Sequence, residues 1–175
     1  MSELKALRDR TADCLAGNTA LKRRSDVTRA AVLPTEATDL PAVIVSAQRV
    51  QRRSEGSANI GPPGYVCDGT IVIVLRHVAR TPEDLEARLL DQAEIAVATL
   101  MNDAAWLSEL EAVGEIDTVL STTPGGEALI GDAGITMTCR WREDFGASSP
   151  HQFDALRGKL PDDTQPTFGT DYPRD

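Results

Sequence analysis

The sequence predicts an α+β protein: a mostly antiparallel sheet packed by two helices, with a C-terminal extended tail. Three observations carry this. Thr70-Ile71-Val72-Ile73-Val74-Leu75 is apolar on both faces of a strand, which places it in the middle of a sheet with cover on each side. Thr81-Pro82-Glu83-Asp84-Leu85 carries the start signals of an amphipathic helix, which covers only one of those sides. Near the end, Ile135, Met137, Cys139 and Trp141 alternate with Thr136, Thr138, Arg140 and Arg142, the mark of a half-buried antiparallel strand.

The elements follow in order. Residues 3–17 read as a helix, with Leu4, Leu7, Cys14 and Leu15 near helical spacing, Ser2 as N-cap and Gly17-Asn18 as the stop. A basic stretch, Lys22-Arg23-Arg24, precedes a short strand at 27–32 that Pro34 ends. Pro41 suits the first position of a strand, because no ladder donor is needed there, and Ala42 to Ala47 continue it. Residues 49–64 read as a long loop with a basic start at Arg49, Arg52 and Arg53 and with Gly56, Gly61, Pro62, Pro63 and Gly64 beyond. The dominant strand is 65–78, with Asp68-Gly69 read as a bulge near its start.

The second helix runs from Pro82 to about Asn102. Thr81 is its N-cap and Pro82 sits at N1. Leu85, Leu89, Ala93, Ala96 and Leu100 form one stripe, widened by Leu90, Val97 and Met101, and Glu83, Glu86, Arg88, Asp91 and Glu94 mostly face away. Burying about six apolar side chains of this stripe yields on the order of 10 kcal/mol before entropy costs, far more than any surface charge pair on the helix. A short helical turn is expected over 106–110, a strand over 115–121 and a turn at Pro124-Gly125-Gly126. Segments 127–130 and 134–145 then read as one broken strand or two paired ones around Gly131-Asp132. From Gly146 onward proline, glycine, aspartate and threonine dominate, so the chain divides into an α+β domain at 1–146 and an extended or disordered extension at 147–175.

Composition narrows the function. The chain has 175 residues, 41% of them hydrophobic and 26% charged, enough for one domain with a working core. A net charge of −9 argues against affinity for nucleic-acid backbone or an anionic membrane. Cys14, Cys67 and Cys139 are odd in number and far apart, with no C-x-x-C, so a disulfide framework is not expected and a reduced setting is. The N-terminus lacks the apolar segment of a signal peptide, and the longest apolar run is too short to span a bilayer.

The residues offer no expected catalytic site, metal site or cofactor. The two histidines, His77 in the apolar strand and His151 in the tail, belong to no ligand-spaced pair, and His77 reads as a structural core residue. No phosphate-binding glycine motif occurs. The chain is therefore expected not to be an enzyme. Its arginines are the exception on an acidic surface. Arg49, Arg52 and Arg53 open the long loop, and Arg140 and Arg142 share the polar face of the last strand. They read either as a solvated loop and strand face guarded against edge aggregation, or as patches complementary to an acidic neighbouring subunit. Together with Tyr65 they are the expected subunit and partner interface.

The order of these elements, with Asp39-Leu40-Pro41-Ala42-Val43-Ile44-Val45, the Thr70 to Arg76 strand, the Thr81 to Leu90 helix start and the Ile135 to Arg142 strand, resembles the tail terminator proteins of long-tailed bacteriophages. The resemblance covers about residues 3–145, and the extension from 147 departs from the short family core. It implies a structural protein of the virion tail and neck, assembled in the host cytoplasm as a hexameric ring. Such a ring caps the tail tube, stops its polymerisation and offers a surface to the head connector. Implied partners are further copies of the chain, tail tube protein, a connector or neck protein and sheath protein. No specific nucleic-acid or membrane binding is implied, the genome only passing through the lumen. The alternatives are a tail completion or neck connector protein and a stand-alone oligomeric binding module. The sheet face away from the helices, carrying either Val72 and Val74 or Ile71 and Ile73, needs cover from ring neighbours or from the Trp106 turn.

Overall fold

A computed structural model describes residues 3–22, 26–28, 40–55, 64–125 and 128–144. The expected class is observed: α+β, with a five-stranded, mostly antiparallel sheet and its helices on one face. The elements are α1 (Glu3–Gly17), α2 (Thr19–Lys22), β1 (Asp26–Thr28), β2 (Ala42–Glu55), β3 (Gly64–Ala79), α3 (Pro82–Met101), α4 (Ala104–Leu107), β4 (Ala112–Gly125) and β5 (Ala128–Asp144). Strand order is β1-β2-β3-β5-β4, with β1 parallel to β2 and every other pairing antiparallel. The Leu40–Pro41 peptide that leads into β2 is cis. The 147–175 extension lies outside the described residues.

Strand β3 is central, as its two-faced apolar run requires. Cys67, Ile71, Ile73, Leu75, His77 and Ala79 are buried on one face, and Val66, Val72, Val74 and Val78 lie half-buried on the other. The first set meets the helices. Leu85, Leu89, Ala93, Ala96 and Leu100 of α3 join Ile71, Ile73, Leu75, Ile135 and Met137 in one core, so the centre of the stripe read from the sequence is buried, while its flank does not go under: Val97 and Met101 are half-buried and Leu90 is exposed. Helix α3 begins as its cap dictates: Thr81 Oγ1 accepts from the Asp84 amide at 3.2 Å.

Four sequence expectations need correction. Residues 49–55 are not loop but the outer half of β2, and Gly64 already belongs to β3; residues 56–63 lie outside the described residues. This half of β2 looked like loop because its apolar residues run out, yet ion pairs to β3 and β5 hold it in register. The irregularity expected at Asp68-Gly69 lies instead in β2, where the register shifts between Ala47 and Arg49. Gly69 is in register with both neighbours, and its missing side chain makes room for the Trp141 ring and Leu4.

Nor is there a break at Gly131-Asp132. β5 runs unbroken there, because Asp132 pairs with Arg76 and Gly131 lets α3 approach: a Cβ on Gly131 would lie 2.9 Å from Leu85 Cδ2 and 3.1 Å from the Ser121 carbonyl oxygen. Finally, the Trp106 turn is α4, and it does not cover the far face. Trp106 is buried on the helix side, its Nε1 donating to Thr11 Oγ1 of α1 at 2.9 Å while that hydroxyl donates to the Leu7 carbonyl at 2.8 Å.

One residue missed by pattern reading is Asn18. Beyond ending α1, its side chain accepts from the Ala20 amide at 2.9 Å and so caps α2, while its amide nitrogen donates to Thr99 Oγ1 of α3 at 2.5 Å. It ties the first helical segment to the second.

Candidate assembly surface

The bulge at Gln48 decides how β2 presents its charges. Ahead of it, Val43, Val45 and Ala47 face the helices. Beyond it, the register sets Arg49 opposite Thr70, Gln51 opposite Asp68 and Arg53 opposite Val66 on the far face, and returns Val50 and Arg52 to the helix side. Val50 accordingly packs against the core, and Arg52 reaches over Cys67 to β5.

Two ion-pair systems brace this end of the sheet. On the helix side Arg52 Nε donates to Glu143 Oε2 at 2.7 Å, and Trp141 Nε1 donates to Glu143 Oε1 at 3.1 Å. The Arg52 bond is the main cause holding the Glu143 carboxyl below the ordinary carboxylate range, against the opposing effect of burial. On the far face Asp68 of β3 accepts from Arg140 of β5 at 2.8 Å and from Arg53 of β2 at 2.9 Å, and its carboxyl too is held low, first by Arg140. Arg142 adds bridges to Glu111 and, at 3.4 Å, to Glu55. Further along the same face Arg76 grips Asp132 with two bonds of 2.6 and 2.7 Å.

The expected interface residues therefore divide. Arg52, Arg53, Arg140 and Arg142 are brought together at one end of the sheet, but each is engaged within the chain. Tyr65, opposite Ser54 and Glu143 on the helix side, is half-buried against the core. Arg49 stands apart: it is exposed and makes no ion pair among the described residues. The acidic partners Asp68, Glu143 and Asp132 were not singled out from the sequence. The available signal was the polar Asp68, Thr70 and Arg76 at alternate positions of an otherwise apolar strand.

Between these charged ends the far face sets apolar residues among the polar Ser46, Thr70 and Thr136. Ile44 of β2 is 3% exposed, Val72, Val74 and Val78 are half-buried, and Val119 of β4 is 59% exposed. On the helix side α3 lies over β3 and β5 and leaves a groove along β4. Leu90, Ala93, Val97, Met101, Ile116 and Thr118 line it, with a volume of about 460 Å³, and Leu90 is 44% exposed at its rim.

No group of three or more His, Cys, Asp or Glu among the described residues is placed to hold a metal ion. The thiols are poor nucleophiles: burial pushes Cys139 up to about 11, and partial burial with Asp103 beside it pushes the half-buried Cys14 up to about 12. His77 is buried in the core, opposite Gly131. No helix among the described residues is long and apolar enough to cross a membrane. In comparison with known proteins, no family model and no curated protein matches this chain.

Proposed function

We propose that this chain is a structural tail terminator: a protein that assembles into a hexameric ring, caps a phage-type tail tube, stops its growth and presents a surface for the head connector. The observation that carries the reading is a mostly antiparallel sheet in which, among the described residues, the outer edge of β4 and the outer half of β2 are left unpaired, joined to the element order that resembles the terminator family. A strand edge left unpaired is a site for another chain. The reading makes the protein a non-enzyme that works through the shape of its contacts in the virion tail and neck.

The proposed mechanism is passive. One face of the ring copies the interface that a tube subunit offers, and the opposite face lacks it, so addition stops. The net charge of −9 on each copy makes the ring strongly acidic, which lets a polyanionic genome pass without adhering.

The test is to add purified protein to growing tail tubes and image them by electron microscopy. Capped ends and arrested growth are expected. Tubes that keep lengthening with bare ends would overturn the terminator role. Capture by a connector protein but not by tube protein would move the assignment to a neck component.

A further inference from the structure

The sheet has two unlike edges. β4 pairs with β5 on one side and with no described strand on the other. At the opposite edge β1 covers β2 only from Ala42 to Ile44, so β2 from Ser46 to Glu55 has no described strand beyond it. Proteins normally guard an open edge with lysine, proline or a short strand. β4 lacks these guards over most of its length; what it carries instead is acid, Glu115 and Asp117, and one register shift between Val113 and Ile116. It is 14 residues long, contains no Lys or Arg, and has its one proline at position 124, near its end. It also exposes Val119 and borders the apolar groove against α3. Beyond the shift, β4 pairs regularly with β5 from Ile116 onward and leaves its outer edge open to another strand.

Charge indicates what covers it. β4 and the residue before it carry Glu111, Glu115 and Asp117, while the outer half of β2 carries Arg49, Arg52 and Arg53. Glu115, Asp117 and Arg49 are exposed and have no ion-pair partner among the described residues. Two β4 edges laid together would set acid against acid, and two β2 edges arginine against arginine, both unfavourable for cross-strand neighbours. Only β4 against β2 brings unlike charges together. The register agrees: Asp117 lies opposite Thr136 and Arg49 opposite Thr70, which places both on the far face of the sheet.

We infer that the acidic β4 edge of one copy pairs with the basic outer half of β2 of the next, joining their sheets head to tail. The contact is heterologous, so it generates a closed ring or an open filament and not a two-fold dimer. This deepens the ring reading above and rests on it for closure.

The experiment uses the full chain and three variants: Glu115→Lys with Asp117→Lys, Arg49→Glu, and all three changes together. Native mass measurement reads assembly, and circular dichroism confirms folding. The wild type is expected to assemble. The β4 variant alone and the β2 variant alone are expected to lose assembly at least tenfold in concentration. Mixed one to one, they should recover larger assemblies in which the two variants alternate, because the acidic β4 edge of one meets the basic β2 of the other and the reversed pair of edges is complementary in turn. The triple change should restore larger assemblies.

A wild-type ring whose single-edge variants assemble equally well would overturn the seam and leave the ring reading standing. A wild type that stays monomeric at every concentration would overturn the ring reading and the seam with it. Should a variant fail to fold, hydrogen exchange on assembled wild type decides. Amide protection gained at both 46–55 and 112–125 supports the seam, and exchange unchanged there contradicts it.

Discussion

Arg52 and Glu143 meet across the central strand, the guanidinium Nε and Nη2 donating to the two carboxylate oxygens at 2.7 and 3.2 Å. The carboxylate is 8% exposed and takes a third bond from Trp141. This clamp fastens the outer half of β2 to β5 over β3, where apolar packing has run out. Removing Arg52 leaves the buried Glu143 carboxylate with only its Trp141 bond, and removing Glu143 leaves Arg52 without its carboxylate. Arg52→Ala and Glu143→Gln are each expected to cost about 2 kcal/mol in chemical denaturation. The double variant should cost clearly less than the two single costs combined. Additive costs would show that the pair does not act as a unit.

The same clamp gives stability a pH signature. The Glu143 carboxyl titrates lower in the folded chain than in the unfolded chain, chiefly because Arg52 bonds to its charged form. Its contribution is therefore complete above the unfolded carboxylate value, about 4.3, and is lost as pH falls through the lower folded value. Thermal unfolding of wild type and Glu143→Gln should differ most above about pH 5 and converge on acidification. A gap that widens towards low pH would contradict the assignment.

Gly131 and Gly134 lie on the same strand but face different constraints. A Cβ at Gly131 would press on Leu85, Leu89 and the Ser121 carbonyl, whereas at Gly134 the nearest atom is the Val119 carbonyl oxygen at 3.8 Å. Gly131→Ala is expected to destabilise by about 1–3 kcal/mol through overpacking. Gly134→Ala should be neutral or slightly stabilising, since it only restricts the unfolded chain. Equal effects in equilibrium unfolding would refute the close approach of α3 to β5.

Thiol reactivity offers a test of the core. With Cys139 pushed up to about 11, Cys14 to about 12 and Cys67 raised first by burial, little thiolate exists at pH 8. Ellman's reagent should label the native protein slowly and the denatured chain at three thiols. Rapid reaction of one native thiol would place that cysteine outside the buried environment described.

These residues also show what the sequence could and could not reveal. Periodicity located α1, β3 and α3, because apolar stripes at Leu85, Leu89, Ala93 and Leu100 or at Ile71 and Ile73 leave few alternatives. Capping placed the start of α3 at Thr81. Misreadings fell where non-local pairs override local preference. Arg49 to Glu55 has the composition of a loop, and only the partners Asp68 and Glu143, distant in sequence, make it a strand. Gly131-Asp132 has the composition of a turn, and only Arg76 and the leucines of α3 make it strand interior.

The ion pairs that engage the interface arginines within the chain were hidden for the same reason. Cross-strand register cannot be read without knowing the bulge at Gln48, and that bulge decides which arginines are engaged within the chain. A charge reversal at Arg52 would set a second carboxylate beside Glu143 and destabilise the monomer. Arg49 is the clean position.

The central claim is that the chain functions as a closed ring of identical copies. The most direct measurement is its mass in solution by light scattering, over a range of concentrations and with and without tube protein. The account expects a discrete species of six times 18.8 kDa. A mass of one copy under every one of these conditions would contradict it.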